Sequence, residues 1–156
     1  MMTRAYRIRR AEREDLDALV ALERRAFTTD HLSARQYRRH IDSPTAVVLV
    51  AVSGARLLGK AVVFLRAGTD VARLYSIAVA DEARGTGLGA ALLAAAEHEA
   101  ARRGCRRMRL EVRQDNAGAI RLYERQGYRR FAARPGYYED GADAWRYEKT
   151  GLHSDD

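Results

Sequence analysis

At 156 residues with 47% hydrophobic and 31% charged residues well mixed along it, the chain argues for one soluble domain over residues 1–150, with 151–156 as a flexible tail; the single cysteine, Cys105, excludes an internal disulfide framework. No apolar run approaches the roughly 20 residues of a membrane span, and the opening "MMTRAYRIRRAERED" lacks the apolar stretch of a secretory signal, so a cytoplasmic protein with no membrane partner is expected. The net charge of +7 suits an anionic ligand carrying several phosphates, but only Lys60 and Lys149 of the 28 basic residues are lysines, and the arginines are dispersed among acids without a basic block.

Residues 5 to 10 read as a short strand. "AEREDLDALVALERRAF" then places Leu16, Leu19, Val20 and Leu22 at helical spacing. "SARQYRRHID" reads as a second helix with Ser33 as N-cap, closed by Ser43-Pro44. "AVVLVAV" (46–52) and "LLGKAVVFLR" (57–66) flank the turn "SGAR" as a β-hairpin, and "VARLYSIAVA" (71–80) is a third long strand. The alanine-rich "GLGAALLAAAEHEAARRG" is the strongest helix, stopped by Gly104. "CRRMRLEVR" alternates Cys105, Met108, Leu110 and Val112 imperfectly with polar positions, as a half-buried strand does. "NAGAIRLYERQG" is a helix capped by Asn116 or Asp115 and stopped by Gly127. "YRRFAAR" and "AWRYEKT" close the chain as strands around the turn region "PGYYEDGAD". The resulting order, β-α-α-β-β-β-α-β-α-β-β, calls for a mixed α/β fold in which helices flank a central sheet.

Between the third long strand and the alanine-rich helix stands "EARGTGLGAALL" (82–93), with Gly85, Gly87 and Gly89 at alternate positions. The first N–H groups of a helix have no internal partners and carry the positive end of its dipole. Removing side chains there lets a pyrophosphate lie on those donors, with Arg84 as a fork-shaped cation beside it; the alternative is a tight strand-to-helix connection and nothing more. The spacing G-x-G-x-G is neither the G-x-G-x-x-G of a dinucleotide fold nor a Walker loop, since Ala90-Ala91 occupy the place of the Lys-Ser/Thr pair.

Arg84-Gly85-Thr86-Gly87-Leu88-Gly89 resembles the R/Q-x-x-G-x-G/A signature of the GNAT superfamily of N-acetyltransferases, and "LEVRQDNAGAIRLYERQGY" (110–128) resembles its second hallmark. Within the superfamily the chain is most similar to bacterial ribosomal-protein alanine N-acetyltransferases and related protein N-terminal acetyltransferases, through "YSIAV", "LEVR", "NAGAIRLYE" and "RPGYYEDGADA". The match is weakest in "AFTTDHLSARQ" (26–36), which has neither the proline nor the tryptophan common there. The resemblance implies a mostly antiparallel sheet of six to seven strands with about four helices, and acetyl-CoA as cosubstrate. Its pyrophosphate would lie on Arg84, Gly85, Thr86, Gly87, Leu88, Gly89 and Ala90. The backbone of Ile77, Ala78 and Val79 would hold pantetheine, with the Val79 N–H polarising the thioester carbonyl. Asn116 would bond the pantetheine arm or cap its helix.

On the same resemblance Glu111 is the general base, directly or through water, and Tyr123 the acid toward the coenzyme sulfur. Glu111 lies on the strand face opposite Leu110 and Val112; without the motif it would read as a solvated carboxylate paired with Arg109 or Arg113. Tyr123, taken with Ile120 and Leu122, reads equally as an apolar helix residue. Phe27, Tyr137 and Tyr138 are candidate acceptor-side residues, with Glu139, Asp140 and Asp143 suiting a cationic amine; a solvated hairpin loop is the alternative. Cys105 lies outside the matched positions, so direct attack in a ternary complex is expected. His31, His40, His98 and His153 form no metal-binding pattern, and no metal is expected. The acceptor expected is a protein or peptide α-amine, with a small-molecule amine or a lysine side chain as alternatives, in a monomer or homodimer. A non-catalytic RNA- or ribosome-binding module is the reading of another class; no basic stripe with interleaved aromatics supports nucleic acid as a partner.

Overall fold

The computed structural model describes residues 5–154. Strand β1 (Arg7–Arg10) leads through a 3₁₀ turn at Arg13–Asp15 into helices α1 (Leu16–Ala26) and α2 (Ala34–Asp42). Three strands follow, β2 (Ala46–Ser53), β3 (Arg56–Phe64) and β4 (Val71–Val79), then α3 (Leu88–Arg102), β5 (Arg107–Arg113), α4 (Ala117–Arg125), β6 (Arg129–Arg134) and β7 (Ala144–Lys149). The expected order of elements is therefore the observed one, as a seven-stranded mixed sheet with four helices. The local signals act as their chemistry dictates. Ser33 and Gln36 form a reciprocal capping box at the start of α2, and the Asn116 carboxamide oxygen accepts the Ala119 N–H at the start of α4.

The strands lie in the order β1-β2-β3-β4-β5-β7-β6. Neighbours are antiparallel except β4 and β5, which run parallel because α3 crosses over between them. The parallel pairing is short. It runs from Val71 opposite Arg107 to Leu74 opposite Leu110 and then stops, although β4 continues to Val79 and β5 to Arg113. At the same point β4 slips against β3: Val62 faces Ser76 while Val63 faces Leu74, so Tyr75 is an extra residue. A bulge of this kind bends its strand and increases the local twist, which carries the end of β4 away from β5.

The main core lies between the sheet and α3 and α4, built from Leu49, Val63, Leu92, Leu93, Met108 and Leu110 among others. A second cluster, with Leu19 and Tyr37 from the helices and Val48, Val50 and Val62 from the strands, lies under α1 and α2. Strand β2 is covered on both faces, which is why its sequence is apolar without alternation. Helix α3 approaches β3 closely at Gly59, where a Cβ would stand 2.8 Å from Leu92 Cδ1 and 3.0 Å from the Ala78 carbonyl oxygen. Leu152, in the segment expected to be a tail, is buried and its N–H donates to the Arg106 carbonyl at 3.0 Å. Among the described residues no helix is long and apolar enough to cross a membrane.

One charge pair interrupts this packing. Lys60 Nζ lies 2.9 Å from Glu23 Oε1, with 0% and 2% of the two side chains exposed. Tyr37 Oη donates to the same oxygen, and the Leu32 N–H donates to Glu23 Oε2 at 3.0 Å. Lys60 Nζ also donates to Ser76 Oγ and lies 5.3 Å from the centre of the Phe27 ring. Burial pushes the Lys60 ammonium below its ordinary pKa, while Glu23 opposes that shift. Removing one partner strands the other charge in the interior. Lys60→Met is expected to lower stability in urea denaturation by about 3–5 kcal/mol, and adding Glu23→Gln to restore part of the loss, which simple additivity of the two substitutions would contradict. Gly59→Ala is expected to lower stability by about 1–3 kcal/mol in the same assay, because the Ala78 carbonyl cannot yield as a flexible side chain does.

Candidate active site

The parting of β4 from β5 opens a cavity of about 590 Å³. Its walls come from Leu74–Ile77 of β4, Glu111–Arg113 of β5, Asn116, Ala119 and Tyr123 of α4, the segment from Ala26 to Asp30 with Leu32, and Tyr137 and Tyr138. Ile77, Glu111, Asn116, Tyr123, Phe27, Tyr137 and Tyr138 thus converge on one space, though they are spread over more than two-thirds of the chain. Ala78, Val79 and residues 84–90 continue from it along β4 into the turn. The Ala80 N–H bonds the Leu58 carbonyl at 2.8 Å. By strand alternation the backbone groups of Ala78 then face β3, and those of Ile77 and Val79 face the edge that β5 has left.

The turn after β4 uses its glycines in two ways. Gly85 and Gly87 hold φ of 76° and 84°, the left-handed region that glycine adopts without steric cost, and a Cβ at either would meet nothing within 4 Å. They shape the chain and leave its N–H groups open to one side. Gly89 is helical, and a Cβ there would stand 3.4 Å from Leu122 Cδ2, so its missing side chain brings α3 against α4. No side chain caps the start of α3; its first helical carbonyl acceptor, Gly87, receives the Ala91 N–H at 3.1 Å. The Leu88, Gly89 and Ala90 N–H groups are therefore the unpaired donors of the helix start. Thr86 Oγ1 donates to the Ala83 carbonyl and fixes the turn, and Arg84 Nε lies 3.2 Å from Asp81 at the exposed rim. An open glycine turn, an uncapped helix start and an unpaired strand edge in succession fit a phosphate-bearing, extended ligand such as acetyl-CoA.

Glu111 is held where the two strands part, with 4% of its side chain exposed. Neither Arg109 nor Arg113 is its partner. Arg73 Nε donates to Oε1 at 2.9 Å and Arg146 Nε to Oε2 at 3.2 Å, while Tyr137 Oη lies 3.5 Å from Oε1 and also receives a hydrogen bond from Arg73. Arg109 bonds Glu148 at 2.7 Å, and Arg113 bonds Asp140 at 2.8 Å. The carboxylate is thus fixed in place from both oxygens at the wall of the cavity.

Tyr123 is 5% exposed and packs edge-on against Tyr128 at 5.9 Å, yet it lines the cavity, and its hydroxyl bonds no group among the described residues. Burial, helped by nearby Tyr138, raises its pKa, so the phenol stays protonated throughout the neutral range. Asn116 lines the cavity while its carboxamide oxygen is committed to the α4 cap.

Phe27 stands at the end of α1, and Tyr137 and Tyr138 meet edge-on at 4.9 Å across from it. Two of the three acids beside those tyrosines, Asp140 and Asp143, make hydrogen bonds within the protein. Asp140 is tied to Arg113, Asp143 accepts the Gly136 N–H at 2.8 Å, and the Glu139 N–H reaches Asp30 at 3.2 Å. The Asp140 and Asp143 carboxylates and the Glu139 backbone thus brace the loop. Arg73, Arg146 and the buried Lys60–Glu23 pair are the site residues that the sequence reading missed. Lys60 alone left a local signal, a lysine inside the apolar run "LLGKAVVF".

Comparison with known proteins places this geometry. Residues 16–128 match the model of the acetyltransferase (GNAT) family. An uncharacterised N-acetyltransferase of Methanocaldococcus jannaschii is 36% identical over 138 residues, covering 88% of this chain and 86% of the relative. A provisionally named ribosomal protein bS18-alanine N-acetyltransferase of Bacillus subtilis is 32% identical over 145 residues, covering 92% and 94%. Among solved structures, the ribosomal-protein-S18-alanine N-acetyltransferase of Escherichia coli superimposes with a TM-score of 0.83 at 28% identity, covering 97% of each chain. With a family model spanning most of its length and relatives of this identity, the protein belongs to the acetyltransferase (GNAT) family of N-acetyltransferases.

Proposed function

We propose that the protein transfers the acetyl group of acetyl-CoA to a primary amine, a protein or peptide N-terminal α-amine, by direct attack within a ternary complex. The observation that carries this reading is the meeting, in one cavity, of a fixed carboxylate on β5, a phenol on α4 with no internal partner, and the unpaired edge of β4. The relatives named for an alanine acceptor on ribosomal protein bS18 support an α-amine over a lysine side chain. So does the chemistry. An α-amine has a reference pKa of about 7.7–8.0, whereas a lysine amine near 10.4 asks far more of a single carboxylate.

Bound acetyl-CoA supplies the activated thioester, and the remaining tasks fall to the chain. Arg84 and the open N–H groups from Gly85 to Ala90 hold its phosphates. The outward backbone groups of Ile77 and Val79 hold the pantetheine arm, with the Val79 N–H as donor to the thioester carbonyl. The face of Asn116 left over from its cap adjoins the same arm. Glu111 takes the proton of the acceptor ammonium at Oε2 through water. Tyr123 donates a hydrogen bond to the departing sulfur. Its phenol is raised above an ordinary value near 10, and a thiol titrates at about 8.5, so this bond stabilises the thiolate without full transfer of the proton. Phe27, Tyr137 and Tyr138 flank the acceptor's first residue.

Glu111→Gln is expected to lower kcat/KM by about 10²–10⁴ while acetyl-CoA still binds; unchanged kcat/KM across the full pH range would remove Glu111 as the base. Tyr123→Phe is expected to slow kcat more than it weakens coenzyme binding, and the reverse pattern would make Tyr123 a packing residue. CoA release with free-N-terminal peptides should exceed release with N-blocked lysine peptides and with polyamines; turnover confined to the last two would keep the coenzyme site and reassign the acceptor.

A further inference from the structure

Helices α1 and α2 cover β2 and β3 on one face of the sheet. Further along that face, the outward side chains of β4, β5, β7 and β6 form a surface that leads directly from the cavity. The strand register lays Arg73, Arg109, Glu148 and Arg129 in one row across the four strands, and Glu111 beside Arg146 in the next. Arg113 and Arg134 flank Ala144 in a third. Arg73 and Arg146 are paired with Glu111, Arg109 with Glu148, and Arg113 with Asp140 and Asp115, so six arginines meet four carboxylates and, among the described residues, Arg129 and Arg134 give the face its uncompensated positive charge.

Aromatic rings lie among these charges. The guanidiniums of Arg109 and Arg146 both stack over Phe131, at 5.1 and 5.0 Å from its centre, and those of Arg73 and Arg134 lie over Tyr75 and Tyr137 at 5.5 and 5.3 Å. Phe131 is 45% and Tyr75 39% exposed, and both are among the large apolar side chains that the described residues leave in solvent. Stability does not account for them. An exposed phenyl ring between two arginines adds little to folding, and partly exposed ion pairs add little more. A guanidinium stacked on a ring is instead pre-organised for a carboxylate: Arg73, Arg109 and Arg146 already hold Glu111 and Glu148, whereas Arg134, over Tyr137, has no ion pair among the described residues.

We infer that this face is the docking track for the acceptor polypeptide beyond its N-terminal residue, and that it selects chains carrying Asp or Glu within their first five residues. The inference rests on the N-terminal acetyltransferase reading above. Tyr75, Glu111 and Tyr137 belong to both the cavity and the face, so a chain whose amine reaches Glu111 leaves across these strands. Four strands about 4.8 Å apart span about 14 Å, the reach of about four extended residues. Arg129 and Arg134 meet the acidic side chains of such a chain, and Phe131 and Tyr75 meet its apolar ones. Stacked bases also suit arginine and aromatic groups, but Glu111 and Glu148 interrupt the positive rows where a continuous phosphate backbone would run, and the face ends at an amine-accepting cavity.

The test uses free-N-terminal peptides of one length whose residues 2–5 are acidic, neutral or basic, read as kcat/KM with acetyl-CoA and as Kd by calorimetry with CoA bound, alongside a single-stranded RNA. The acidic peptides should bind about tenfold more tightly than the neutral ones at low salt, the worth of two partly exposed ion pairs, and the preference should shrink as salt rises. Arg129→Glu with Arg134→Glu should invert the order of acidic and basic peptides. Equal values across the panel, or a preference for basic peptides, would overturn this inference and leave the N-terminal reading intact. Salt-dependent RNA binding with no charge preference among peptides would assign the face to nucleic acid and overturn it too. Turnover of lysine peptides or polyamines, with no free N-terminus used, would overturn the N-terminal reading and this inference with it.

Discussion

The site depends on backbone hydrogen bonds that two adjacent strands do not make. Parallel pairing of β4 and β5 ends at Leu74 and Leu110, and the bulge at Tyr75 turns β4 away just where pairing would continue. Unpaired backbone groups inside a protein are costly unless something satisfies them, so an edge of this kind in mid-sheet is poised for an extended polar ligand. The same divergence makes room for Glu111 to face a cavity from the middle of the sheet, and for α4 to set Tyr123 against it. Further along β4 the glycine turn and the uncapped start of α3 extend the row of unpaired N–H groups.

Charge is arranged as carefully as shape. Glu111 is nearly buried and receives Arg73 from β4 and Arg146 from β7, so the carboxylate is compensated from the two strands between which β5 lies. Glu23 is compensated by Lys60 beneath the opposite wall of the cavity, and through the Leu32 N–H it also anchors the segment that follows Phe27. Each carboxylate is held by hydrogen bonds from named partners, which fixes position at the expense of mobility. A site that aligns an amine with a thioester gains from that rigidity, because much of such a reaction's barrier lies in orientation.

The elements were legible because their patterns are local. Met108, Leu110 and Val112 alternate with polar residues, Ser33 and Asn116 cap the helices that they precede, and glycine follows α3 and α4. The glycine turn was legible for the same reason, although the sequence does not separate the backbone role of Gly85 and Gly87 from the packing role of Gly89. What was not legible is set by register. Arg73 lies 38 and Arg146 35 residues from Glu111, and nothing local distinguishes them from the nearer Arg109 and Arg113. The internal bonds of Asp140 and Asp143 were hidden in the same way, since composition shows charge but not its partner.

If the protein binds its coenzyme as proposed, the edge of β4 and the turn after it do so together. Backbone amide shifts, recorded while CoA and separately its nucleotide and pantetheine halves are added, test this most directly. On that proposal saturable shifts are expected at Gly85–Ala90 with the nucleotide half, at Ile77, Val79 and Asn116 with the pantetheine half, and at both sets with CoA. Absence of saturable shifts, or shifts concentrated at the β1 edge of the sheet, would contradict it.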